Sequence, residues 1–154
     1  MFMFKKIFTT FLICLFAFSS YGAIQLPLVE SFEDAKKQSK EEKKLLVLHF
    51  TGTTWCPPCK FLDGKILHTK EFAKFAKENL VIVEMDFARN GKPSNEKFAD
   101  EYKKLAEEFS IRSFPTMIFI NPQNDKQEIM KGVAAKDVKS FIKYIKDIRK
   151  RLDK

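Results

Sequence analysis

Two cysteines set two residues apart, in the segment Trp55-Cys56-Pro57-Pro58-Cys59, are the side chains of this sequence best suited to chemistry. Disulfide exchange requires a thiolate that attacks and a second thiol near enough to release the mixed disulfide that forms. A Cys-x-x-Cys pair at a helix start supplies both: the first cysteine lies at the positive end of the helix dipole, where its pKa falls, and the second sits in the first turn. Cys56 is therefore expected to be the exposed nucleophile and Cys59 the resolving thiol. Prolines are tolerated in a first helical turn, because the amides they lack have no intrahelical partner there. Here they also remove both amides between the cysteines, leaving fewer backbone donors for a Cys56 thiolate.

Three other readings of the pair stay open. A purely structural disulfide gains little, since chain entropy assigns so small a loop about 2 kcal/mol against about 3 kcal/mol for a 15-residue loop. A zinc site needs four ligands, and the exported chain offers only Cys56, Cys59, His49 and His68, at a spacing that fits no familiar zinc pattern. The expectation is no metal and no bound cofactor. The third reading is a redox-inert binding module that retains the pair by accident.

The elements that must position the pair follow from periodicity. Ser31-Phe-Glu-Asp34 resembles a capping box opening a lysine-rich helix to about Lys43. Leu45-Leu-Val-Leu-His-Phe50 is the nearly continuous apolar run of a strand buried on both faces. Thr51 to Trp55 is a turn, and Phe61, Leu62, Ile66 and Leu67 keep helical spacing beyond Cys56. A helix over Lys70–Asn79 leads into a strand over Leu80–Met85 and a polar loop over Ala88–Ser94. Phe98, Tyr102, Leu105, Ala106 and Phe109 recur at helical spacing. Strands over Thr116–Ile120 and Gln127–Lys131 precede Gly132, and Val138, Phe141, Ile142, Ile145, Ile148 and Leu152 line one face of a last helix. Strands that alternate with helices and close on a hairpin imply an α/β fold, a mixed central sheet flanked by helices on both faces.

The chain of 154 residues, 45% apolar and 14% aromatic, has material for one packed domain. Two lysines at the start and an uncharged stretch over Ile7–Ala23 have the form of an export signal, with Ser20 and Gly22 placed for a cut before Ala23. The expected division is a signal peptide over 1–22 and one domain over 23–154. The competing reading is an uncleaved anchor, since a run of about 18 residues is at the lower limit for a bilayer span. Cys14 would leave with the signal, and export places the remaining pair in the periplasm or outside the cell, where a lone Cys-x-x-Cys is a redox couple. The net charge of +8 falls to +6 without Lys5 and Lys6. It is lysine spread along helices and reads as solvated faces; no basic cluster interleaved with aromatics indicates nucleic acid.

With Trp-Cys-x-x-Cys after a buried strand and Ile111-Arg-Ser-Phe-Pro-Thr116 before a later one, the sequence resembles the thioredoxin superfamily over roughly Ser31 to Lys150. In Phe50-Thr-Gly-Thr-Thr-Trp-Cys and Met85-Asp-Phe-Ala-Arg89 it is similar to exported bacterial thioredoxin-like proteins related to the C-terminal domain of the transmembrane disulfide reductase. The resemblance implies a thioredoxin-like fold and a cis bond before Pro115, facing the cysteines. It further implies an apolar groove of Trp55, Pro57, Phe114, Pro115 and Gly132 that receives an extended substrate segment. Where the family often buries a carboxylate to move the second cysteine's proton, this sequence holds His49, so His49 becomes a candidate acceptor. Asp63, one turn after Cys59, is the alternative, and Glu84 a weaker third. Ser113 stands where a glycine is common. The activity implied is reduction or isomerisation of protein disulfides. Its partners would be protein thiols and disulfides, and a redox protein that supplies or removes electrons. A redox-inert interaction protein and a dedicated electron carrier for cytochrome assembly are the alternatives.

Overall fold

In a computed structural model, residues 25–154 are described; the expected signal over 1–22 and its cut lie outside them. Helix α1 (Phe32–Glu42) is capped by Ser31, whose side chain accepts the Asp34 amide. Strand β1 (Leu45–Thr51) is buried at every position. Helix α2 (Pro57–Leu62) starts at the cysteines, and a wider π turn (Asp63–Leu67) continues it. Helix α3 (Lys70–Asn79), strand β2 (Leu80–Asp86) and helix α4 (Ala99–Glu108) follow. Strands β3 (Thr116–Ile120) and β4 (Gln127–Lys131) lead to helix α5 (Val138–Leu152), capped by Asp137. The expected elements are all present, with one difference: the single helix expected after Cys56 changes to the π turn at Asp63.

The sheet runs β2-β1-β3-β4, with β1 parallel to β2 and antiparallel to β3, and β3 antiparallel to β4. Successive side chains of a strand point to opposite faces, and the core divides accordingly. Leu45 and Val47 of β1 join Leu62, Phe72, Ile82, Phe119, Phe141 and Ile145 on one face. Leu46, Leu48 and Phe50 join Ala35, Val81, Val83, Tyr102 and Leu105 on the other. The period of two that puts Leu45 and Val47 under α2, α3 and α5 puts His49 there too, and Leu80 and Ile82 carry Glu84 to the same face. His49 and Glu84 are register partners across β1 and β2.

Candidate active site

Cys56 is the N-cap of α2: its backbone is extended, and its sulfur accepts the Cys59 amide at 3.3 Å. The two cysteines are joined by a disulfide with Cα atoms 5.3 Å apart. Pro57 and Pro58 occupy the first two helical positions, so the Cys59 amide is the donor that the first turn directs at the Cys56 sulfur, while the Lys60 amide donates to the Cys56 carbonyl. The expected exposure of Cys56 is corrected. It is 3% exposed and Cys59 0%, because in the oxidised pair the Cys56 sulfur is turned inward to its partner and to the Cys59 amide.

The loop before Cys56 is held by the end of β2 and the residues that follow it. Trp55 Nε1 donates to the Phe87 carbonyl at 2.7 Å, and the Thr53 amide donates to Asp86 Oδ1 at 2.6 Å. Ser94 Oγ donates to the other oxygen of Asp86 at 2.5 Å. Trp55 stands edge-on to Phe114 with ring centres 5.8 Å apart, and Phe87 packs against Phe114 at 5.6 Å and Phe50 at 6.4 Å. Gly52 is the seat of the indole: a Cβ there would lie 2.7 Å from Trp55 Cε2. The Phe114–Pro115 bond is cis. Gly132, at a φ of 75°, donates its amide to the Pro115 carbonyl at 2.8 Å. Trp55 and Phe114 are half-buried, Pro57 is exposed and Pro115 is buried.

Below the cysteines the structure brings His49, Asp63 and Glu84 together: one ligand-type atom from each lies within 4.8 Å of the others. The Asp63 amide donates to the Cys59 carbonyl, so the two side chains stand on one helical face. Asp63 is not the solvated carboxylate that a helix position suggests. Its Oδ1 is buried without a hydrogen-bond partner, and burial raises its pKa, opposed by the nearby His49. His49 is fully buried with both ring nitrogens unpartnered, and its Nδ1 stands 3.5 Å from Glu84 Oε2. Sequence reasoning did not find the supports Gly52, Asp86 and Phe87. Asp86 and Phe87 act on residues more than thirty positions away, and Gly52 acts by the room it leaves for the Trp55 ring, although all three fall inside the motifs that carried the resemblance.

Comparison with known proteins agrees with this geometry. A family described as thioredoxin-like domain matches residues 32–149. The chain is 33% identical to the disulfide bond reductase DsbH of Chlamydia pneumoniae over 61% of its own length and 56% of that relative's. It is 33% identical to thioredoxin H3 of Arabidopsis thaliana over 71% of its length and 78% of the relative's. A solved DsbH oxidoreductase superposes with a TM-score of 0.65 at 28% identity, covering 84% of each chain. The oxidised C-terminal domain of DsbD from Neisseria meningitidis shares the fold, with a TM-score of 0.54 at 18% identity over 75% of this chain and 90% of that one.

Proposed function

We propose that this chain, which belongs to the family of thioredoxin-like domains, is an exported thiol-disulfide oxidoreductase that reduces or isomerises protein disulfides. The observation that carries this reading is the Cys56–Cys59 disulfide at the N-terminus of α2, in a chain whose Phe114–Pro115 bond is cis and whose Phe114 packs against Trp55, the residue before Cys56. The reductase named among its relatives supports the reducing direction. In the reduced chain, the Cys56 thiolate attacks one sulfur of a substrate disulfide; the S–S bond breaks and its electron pair leaves on the other substrate sulfur. Cys59 then loses its proton and attacks the Cys56 sulfur, releasing the second substrate thiol and closing the enzyme disulfide. A partner dithiol must reopen that bond for the next cycle. Export, to the periplasm or beyond, places the cycle where disulfides persist.

Trp55, Pro57, Phe114, Pro115 and Gly132 form the groove that receives an extended segment of the substrate. His49 and Asp63 are the groups that take and return the Cys59 proton. Insulin reduction with dithiothreitol tests the central reading: the wild-type chain should accelerate precipitation of the insulin chains, and the double change of Cys56 and Cys59 to Ser should lose the acceleration. Activity that survives the double change would refute it.

A further inference from the structure

His49, Asp63 and Glu84 form a cluster with the composition of a cation site. His49 is 0% exposed with neither ring nitrogen in a hydrogen bond, and Asp63 Oδ1 is buried and equally unpartnered. Glu84 completes the group, with Oε2 at 3.5 Å from His49 Nδ1. Among the described residues, no lysine or arginine forms an ion pair with Asp63 or Glu84.

We propose that His49, Asp63 and Glu84 bind one divalent transition-metal cation of zinc's class. A buried polar atom left without a partner costs about 1–3 kcal/mol, and one ion meets two of the three here, Asp63 Oδ1 and one ring nitrogen of His49. A metal-bound imidazole is neutral, so the two carboxylates balance the charge of a dication. One nitrogen and two carboxylate oxygens suit a borderline ion; magnesium or calcium would be met by oxygen alone. Three protein ligands leave a fourth position open to water.

The frame around the three is firm where it needs to be. Paired β1 and β2 hold His49 and Glu84 side by side, and the π turn sets Asp63 over them. Bonds of about 2.1 Å put two ligands of one ion at most about 4.2 Å apart. The three ligand atoms lie within 4.8 Å of one another, and rotation of a carboxylate closes any separation beyond the bonding limit. The Glu84 side chain is 23% exposed and gives the ion its way in from solvent. An ion here would also withdraw His49 and Asp63 from handling the Cys59 proton.

The test uses the purified oxidised chain, in which the disulfide holds both sulfurs away from metal. Zinc is titrated in competition with a chromogenic chelator. One zinc ion per chain is expected, bound at least tenfold more weakly by Glu84→Gln and by Asp63→Asn, and undiminished by His68→Gln. Far-UV circular dichroism checks that the variants fold. Failure of the wild-type chain to retain zinc, or equal retention by the wild type and both carboxylate variants, overturns the proposal. Cobalt added to the wild-type chain gives a measurement free of substitutions. Visible d–d bands without a thiolate charge-transfer band are expected, and a thiolate band would move the ion to the sulfurs and sink the assignment.

Discussion

Two cysteines of the same type receive different work from one backbone. Cys56 has an extended backbone and caps α2, whereas Cys59 is inside the first turn and wholly buried. The roles are separable by substitution. Cys59→Ser keeps the attacking sulfur and removes the one that resolves, so mixed disulfides with substrates should accumulate and appear on non-reducing gels. Cys56→Ser should trap none, since Cys59 has no access to a large partner. Equal trapping by both variants would reverse the assignment. The captured proteins, identified by mass spectrometry, would also name the substrate class. The roles of the pair were legible because two residues of spacing and a helix start are local facts. The nearly complete burial of Cys56 was not, because it depends on where the oxidised sulfur turns.

The cysteine pair works only if the loop before α2 is held, and that support lies between elements far apart in the chain. Gly52 makes room for the Trp55 ring, which is tied to the Phe87 carbonyl. A methyl at Gly52 would stand 2.7 Å from the indole, closer than carbon atoms tolerate, so Gly52→Ala must displace the ring or the strand end. Overpacking of this kind costs about 1–3 kcal/mol. We expect a lower urea midpoint, slower insulin reduction, and a shifted emission from Trp55, the chain's single tryptophan. Gly64→Ala is the control: nothing lies within 4 Å of its added Cβ, so emission should hold, and the midpoint should rise by what alanine gains over glycine in a helical turn, about 0.4–1 kcal/mol. Unchanged emission and activity in Gly52→Ala would show that the indole is not fixed as described. The strands and helices were readable from apolar period and caps, as with Ser31 and the buried run of β1. The change to a π turn at Asp63 was not, because Phe61, Leu62, Ile66 and Leu67 satisfy helical spacing whether or not one turn widens. His49 and Asp63 were singled out separately; their meeting with Glu84 needed the register of β1 against β2.

The direction in which electrons flow belongs to the whole molecule, because a reduction potential measures how much more stable the folded chain is with its thiols free than with its disulfide closed. By that measure an oxidant is a fold that stabilises its Cys56 thiolate strongly. This fold offers little toward that end. The prolines at the first two positions of α2 carry no amide hydrogen, no histidine lies between the cysteines, and the Cys59 amide is the donor that the first turn gives the Cys56 sulfur. The helix dipole adds a modest contribution at an end where the sulfur is already buried. We therefore expect the Cys56–Cys59 couple to lie near the thioredoxin value of about −270 mV and far from the strongly oxidising value of about −120 mV. Equilibration of the purified chain against glutathione buffers, read by alkylation of free thiols, measures it. Each 30 mV is about 1.4 kcal/mol for a two-electron couple, so the two values differ by about 7 kcal/mol and cannot be confused. A potential above about −170 mV would mean that the reduced fold is stabilised by something besides the helix start, and that the chain donates disulfides where we assign it their reduction.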